Sequence, residues 1–185
     1  MSKRNVFATA LLATLAFGFA ASSAQAQTIT SSYSGTFEST AIDSNADGLS
    51  ASRQSIRLLD GPMGPSTMEG INELAITGQG ACPNGNLGIQ FTMVSSPATP
   101  AALVQRFERS GDLLFLNFTS GSACFDGTTS ILFLSATGTI GGGTGALAGA
   151  TGSITVAGQG TFLFFDGRDA FGPQAGTVTS NIVLP

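Results

Sequence analysis

Between residues 138 and 152 the chain runs Gly138-Thr139-Ile140-Gly141-Gly142-Gly143-Thr144-Gly145-Ala146-Leu147-Ala148-Gly149-Ala150-Thr151-Gly152. Seven of these fifteen residues are glycine, and the segment separates two stretches with the composition of β-strands. Glycine adopts positive φ without a Cβ clash and lets another backbone or a ring approach closely. Glycines spaced irregularly among small and β-branched residues therefore predict a bent, bulged pair of strands at the corner of a barrel.

The remainder of the chain alternates short β-rich segments with turn residues, and helical periodicity is missing beyond the N-terminal segment. Only residues 97–104 have a composition compatible with a short helical turn or a loop. Short, regularly spaced strands are typical of a β-sandwich or a β-barrel. The strand candidates are residues 33–42, 52–59, 71–77, 87–94, 103–109, 112–119, 128–136, 153–157, 161–165 and 176–184.

The glycine-rich segment resembles a motif of the allene oxide cyclase-like and dirigent-like barrels, Ile-x-Gly-Gly-x-Gly-x-Phe-x-Gly-Ala-x-Gly. Leu147 stands where that family has Phe, and the likeness is best over residues 111–160. The resemblance implies a calycin-like antiparallel barrel of about eight strands, often trimeric, with an apolar cavity. The matching residues are Ile140, Gly142, Gly143, Gly145, Gly149, Ala150 and Gly152.

In that family the plant enzymes cyclise an unsaturated fatty-acid epoxide, largely by holding the chain in shape. Their dirigent relatives steer the coupling of phenoxy radicals without oxidising them. The polar cavity groups of the family do not map onto this chain, whose only tyrosine, Tyr33, lies outside the matching stretch. The resemblance therefore implies a fold and does not carry an activity with it.

The N-terminus has the features of a signal peptide. Lys3 and Arg4 precede an apolar run over residues 6–21, and Ala24-Gln25-Ala26 is an A-x-A cleavage site. Cleavage would remove residues 1–26 and leave one domain, residues 27–185, in the periplasm or outside the cell. A retained anchor is the weaker alternative because the run is short for a bilayer core of about 30 Å. No later apolar segment is long enough to span as a helix.

The mature chain would carry five arginines, no lysine and eleven acidic residues, a net charge of −6. This charge balance argues against nucleic acid and anionic lipid as partners. The chain contains no histidine, which removes the commonest general base and metal ligand. We therefore assign no catalytic and no cofactor-binding residue from the sequence.

The two cysteines, Cys82 and Cys124, are predicted to form a disulfide, because an exported protein meets an oxidising compartment. The alternative is a reactive thiol, which needs a neighbouring positive charge to lower its pKa. No basic residue lies close in sequence to either cysteine.

One motif suggests a metal site. Residues 43–48, Asp43-Ser44-Asn45-Ala46-Asp47-Gly48, match the opening of a calcium loop, with oxygen ligands from Asp43, Asn45 and Asp47. Gln54 occupies the twelfth position, where such loops have a bidentate Glu, so a Ca²⁺ site here would be weak or completed by distant acids. The alternative is a polar hairpin loop, since Asp, Asn and Gly are also turn formers.

Residues 113–118 and 131–134 are apolar at both alternating positions, whereas a strand with one wet face alternates with polar residues. The outer wall of the barrel is therefore expected to be covered by a second copy of the chain or by one of its own segments. An outer-membrane barrel is a third interpretation, but the mature chain lacks the aromatic girdles of that class.

These observations favour a non-catalytic exported barrel that binds a hydrophobic small molecule or serves as a structural module of the envelope. The alternative is a cyclase or isomerase that works by confining a hydrophobic substrate in the barrel cavity. An interior packed solid by Phe115, Phe133, Phe162 and their neighbours would favour the structural role.

Overall fold

The computed structural model of the chain describes residues 26–39, 43, 51–94, 101–166 and 169–185. This part is all-β and antiparallel, and its only helical element is one 3-10 turn at Gly145–Leu147. The strands are β1 (Ala26–Ser39), β2 (Ala51–Leu58), β3 (Ser66–Ala81), β4 (Leu87–Val94), β5 (Ala102–Phe107), β6 (Leu113–Asp126), β7 (Ile131–Gly143), β8 (Thr151–Thr161), β9 (Phe164–Phe165) and β10 (Ala170–Val183).

Eight strands form a closed, barrel-like ring in the order β1-β2-β3-β4-β6-β7-β8-β10, and β10 pairs with β1 to close it. The short strand β5 takes the place of β4 beside the first half of β3, since it pairs with both β3 and β6. β9 is a two-residue strand on the edge of β10. The predicted all-β, antiparallel fold of about eight strands is thus confirmed.

The strands are staggered around the ring. Following paired residues once around the circuit from Glu38 ends at Thr28, ten residues away on the same strand. Such a stagger is what tilts the strands of a closed sheet, and eight strands leave an interior that side chains fill or that holds one small ligand. The circuit passes through Glu38, Arg53, Ile71, Ala102, Asn117, Thr139, Ser153, Asn181 and Thr28.

Alternation along the strands separates a buried inner face from a polar outer face. The inner face carries the largest fully buried apolar side chains, among them Met68, Leu114, Leu116 and Ile154. The outer faces of β1, β8 and β10 carry hydroxyl and amide groups that pair across strands, such as Thr30 with Thr179 at 3.1 Å. A period of two places every second residue on the core side, so the alternating sequence sets the register.

The two ends of the ring differ. At one end, which we call the plugged end, the β2–β3 connection and the 3-10 turn fold over the interior, and Leu147 and Ala150 are buried there. Met63 packs against the same core. The other end carries the β3–β4 hairpin and the residues around β9, and we call it the open end.

The glycine-rich segment forms the predicted strand–turn–strand, with β7 ending at Gly143 and β8 starting at Thr151. Two register shifts between β6 and β7 accompany it, at Leu114/Leu116 and Phe118/Ser120. The strand predicted at residues 103–109 is confirmed over residues 103–107, and the interpretation of residues 97–104 as a helical turn or loop is wrong for residues 102–104, because they pair with both β3 and β6. Residues 97–100 lie outside the described part.

The expectation that β6 and β7 are covered on both faces is only partly met. Phe115 points outward and is exposed, beside its cross-strand partner Val104, which is exposed as well. Phe133 also points outward and is half-buried. Neither side chain fills the interior, because both lie on the outward alternation of their strands. Oligomerisation through this wall stays a prediction.

Candidate functional site

Two aromatic side chains pack against glycines on the inner wall formed by β8 and β10. Tyr33 and Phe37 project from β1 across this wall, where β8 and β10 present glycines. A Cβ at Gly158 or Gly176 would meet the Tyr33 side chain, and one at Gly160 or Gly172 would meet the Phe37 ring. The absent side chains therefore leave the volume that the two rings occupy.

Side chains fill most of the interior of the ring. A cavity of about 40 Å³ remains in the middle, and one of about 20 Å³ remains below the plugged end. A water molecule needs roughly 10–15 Å³ of such volume, so the central cavity holds no more than a few atoms. Residues that line the central cavity include Met68, Asn72, Leu74, Met93, Leu103 and Phe118.

The inner face becomes solvent-accessible at the open end. β1 ends at Ser39 and β2 begins at Ala51, which pairs with Glu73, whereas β3 continues to Ala81. Over this extension the β3–β4 hairpin presents its inner face to solvent: Ile76 is 70% exposed and Leu87 is 68% exposed. We define the mouth as the large apolar side chains that face inward here: Ile76, Leu87, Ile89, Phe91 and Phe125.

A cluster of phenylalanines borders the mouth. The Phe162 ring packs edge-on against Phe37 and Phe125, with centroid separations of 5.3 and 4.7 Å. Phe165 adds tilted contacts to Phe125 and Phe162 at 6.5 and 5.7 Å, and its own side chain is exposed. These edge-to-face contacts are a favoured aromatic geometry, so the cluster forms an ordered apolar rim.

The predicted disulfide is confirmed. Cys82 and Cys124 are bonded, with their Cα atoms 5.5 Å apart, and join the tip of the β3–β4 hairpin to the outer face of β6. The bond passes over Gly88 of β4, where a Cβ would collide with both sulfur atoms. Both cysteines are buried. Their bond fixes to the ring the hairpin that carries four of the five mouth residues.

Asp126 provides a second anchor for the same hairpin. Its buried carboxylate accepts hydrogen bonds from Thr129 Oγ1 at 2.6 Å, Asn86 Nδ2 at 2.8 Å, Asn84 Nδ2 at 2.8 Å and the Thr128 N–H at 2.9 Å. The bonds from Thr129, Asn86 and Asn84 hold the pKa of Asp126 well below its usual range, against the opposing effect of burial. The group is therefore ionised wherever the protein is folded near neutral pH.

This anchor predicts a pH-dependent stability. Because the folded-state pKa lies below the unfolded value, Asp126 stabilises the fold fully above about pH 4 and progressively less as the pH falls below that. Asp126→Asn should therefore lower the free energy of unfolding at pH 7, and its urea-unfolding curve should approach that of the wild type towards pH 3. Glu69→Gln removes an exposed carboxylate of β3 and is the control. Parallel pH profiles for wild type and Asp126→Asn would contradict the assignment.

A wide groove lies on the outer wall, next to the tip of the β3–β4 hairpin that the disulfide holds against β6. Its volume is about 510 Å³, and it opens broadly to solvent. Outward side chains of β4, β6, β7 and β8 line it, namely Gln90, Ser122, Cys124, Phe133, Ser135 and Ala157. Its mixed polar and apolar lining and its shallow shape make this groove a less specific apolar site than the mouth. Phe133, which lines the groove, is therefore a suitable position for a control substitution.

The predicted calcium loop is largely outside the described residues. Asp43 is described, whereas Asn45 and Asp47 are not. In the described part of the chain, no three Cys, Asp or Glu side chains group closely enough to hold a metal ion. The calcium site stays a prediction, as does the signal peptide, whose residues 1–25 are likewise not described; β1 begins at Ala26, next to the predicted cleavage point.

Sequence reasoning missed the mouth and the inner polar groups Asn72 and Gln174. Ile76 and Ile89 carry no motif, and their exposure depends on how far β1 and β2 extend. Comparison with family models, with curated proteins and with solved structures gives no match to this chain. Within the described residues no helix is long and apolar enough to cross a bilayer.

Proposed function

We propose that this protein is an exported, non-catalytic β-barrel protein that binds an apolar small molecule at the open end of its ring. The observation that carries the proposal is the exposure of inward-facing apolar side chains at the mouth, Ile76 and Leu87 above all. Exposed apolar groups that lie together and are bordered by an ordered aromatic rim are typical of binding sites. The disulfide, which suits an oxidising compartment, supports export.

Two features favour binding over catalysis by confinement. A cyclase or isomerase of this type would need to enclose its substrate, and the central cavity of about 40 Å³ is too small for that. In the described residues, the mouth leaves one side of a ligand in contact with solvent. Membership of the allene oxide cyclase-like and dirigent-like barrels remains our proposal for the family, supported by the glycine motif and by the eight-stranded antiparallel ring.

The filled interior favours a second candidate, a structural module of the envelope. In that case the mouth would be covered by another macromolecule or by a second copy of the chain. The polar outer faces of β1, β8 and β10 do not suit a lipid-facing wall, so we do not propose an outer-membrane barrel.

Titration with the neutral fluorophore N-phenyl-1-naphthylamine tests the proposal. We expect saturable fluorescence enhancement with the oxidised wild-type protein. Ile76→Ser combined with Ile89→Ser should weaken binding at least tenfold, because each change replaces apolar contact area with a hydroxyl. Phe133→Ser, in the outer groove, is the matched control and should bind as the wild type does.

Two results would overturn the binding role. One is an absence of saturable enhancement with the wild-type protein. The other is unchanged affinity in the Ile76→Ser, Ile89→Ser variant together with weakened binding in Phe133→Ser, which would move the apolar site from the mouth to the outer groove.

A further inference from the structure

Three buried polar atoms on the inner wall have no hydrogen-bond partner in the described structure: Tyr33 Oη, Asn72 Nδ2 and Gln174 Oε1. Tyr33 is only 3% exposed and Asn72 only 2% exposed. Leaving such a group unpaired costs about 1–3 kcal/mol, so buried polar atoms are normally satisfied. Their persistence in the interior calls for a partner that the described part of the chain does not supply.

One of these atoms borders the central cavity, and a second lies next to residues of its wall. Asn72 lines it directly, and its Oδ1 already accepts a hydrogen bond from Gln54 Nε2 at 3.1 Å, which leaves Nδ2 as the free donor. The Tyr33 hydroxyl lies against Gly158. Gly158 pairs with Leu134 and follows Val156 on the inner face of β8, and both of those residues line the same cavity.

The cavity lies one layer of side chains below the mouth. Leu74 and Met93 line the cavity and face each other across β3 and β4. The next inward pair along the same strands is Ile76 and Phe91, which belongs to the mouth. A ligand that rests in the mouth therefore needs to insert only its end group to reach Asn72 and Tyr33.

The charge of the inner wall restricts that end group. The inward-facing positions of the described strands carry no Asp, Glu, Lys or Arg. Burial raises the pKa of Tyr33 to about 12, so its hydroxyl stays neutral at physiological pH. A carboxylate or ammonium placed here would be a buried charge without a counter-ion, which is far more costly than a buried neutral oxygen.

We propose that the ligand of the mouth is an uncharged amphiphile whose single hydroxyl or carbonyl oxygen enters the central cavity and is held by Asn72 and Tyr33. The proposal rests on the proposed apolar binding role and specifies its ligand class. Asn72 Nδ2 donates to the ligand oxygen, and Tyr33 Oη donates to a carbonyl or exchanges a hydrogen bond with an alcohol. The apolar body of the ligand lies on the mouth and its aromatic rim.

Displacement of N-phenyl-1-naphthylamine by matched ten-carbon compounds tests this on the wild-type protein. We expect 1-decanol and 2-decanone to compete at least tenfold more strongly than decanoate at pH 8. Asn72→Leu and Tyr33→Phe should each weaken 1-decanol about five- to tenfold, the value of one hydrogen bond, and leave n-decane unchanged. Ser66→Ala, which removes the partner of Gln105 at the plugged end, is the control and should leave all ligands unchanged.

The outcomes separate this inference from the function on which it rests. If the fluorophore binds but decanol, decanone and decanoate compete equally, or decanoate competes best, the neutral-head inference fails and the apolar binding role stands. If decanol competes best in the wild type but Asn72→Leu and Tyr33→Phe retain its affinity, the cavity holds only water and the inference also fails. If the fluorophore does not bind, the proposed function itself fails. The wild-type ligand series needs no variant to fold.

Discussion

Replacing both Cys82 and Cys124 with alanine should lower the free energy of unfolding by about 4 kcal/mol, on the chain-entropy description of a cross-link. The two cysteines are 42 residues apart in the sequence, so the bond removes many conformations from the unfolded chain. Urea denaturation of the oxidised wild type, the wild type under reducing conditions and the double variant measures the effect. Reduced wild type and double variant should agree closely.

The double variant should also bind the fluorophore more weakly than the wild type, even under conditions where it is fully folded. Leu87 and Ile89 lie on the hairpin that the disulfide fixes to β6, so its removal leaves Asp126 as the remaining side-chain anchor described for the hairpin tip. Fluorophore titration at a temperature where the double variant is fully folded separates the two effects. A stability loss below 1 kcal/mol with unchanged binding would contradict both roles of the bond.

Much of the fold could be predicted because local chemistry and tertiary structure agree. Each of the ten predicted strands corresponds to an observed one, and turn glycines with positive φ, such as Gly111, separate neighbouring strands. The lengths of the strands were less predictable than their number and order. β3 spans Ser66–Ala81, whereas the prediction covered residues 71–77, because Gly70 resembles a turn residue. This strand position is a glycine because β5 passes so close that a Cβ on residue 70 would collide with the Ala102 carbonyl.

The candidate site was predictable only in part, for two physical reasons. The disulfide followed from composition and compartment, which are properties of the sequence itself. The mouth did not, because Ile76 alternates like any core residue and becomes exposed only where its neighbouring strands stop. Phe115 was named as one side chain that could fill the interior, yet alternation along β6 places it on the outer face. When both faces of a strand are apolar, the pairing with neighbouring strands decides which face lies inside the ring. That pairing is not encoded in the local sequence.

Replacing Gly152 with alanine should lower the free energy of unfolding by about 3 kcal/mol, the upper range for a residue held in an unfavourable backbone region. Gly152 has a φ of 137°, and a Cβ there would collide with the backbone carbonyl of Asn181 on β10. Gly142→Ala is the matched control, since its φ is 122° but a Cβ there meets no atom within 4 Å. The control should cost only about 1 kcal/mol, from backbone strain alone.

The difference between the two variants decides what the glycine-rich segment does. Equal losses, measured by urea denaturation, would mean that its glycines serve only the local turn between β7 and β8. A larger loss at Gly152 would mean that the segment is glycine-rich because β10 must approach β8 there. A side chain at Gly152 would push apart the β8–β10 pairing, and β10 is the strand whose other edge pairs with β1 to close the ring. On that account the motif specifies closure of the eight-stranded ring, and the inner wall that receives Tyr33 depends on it.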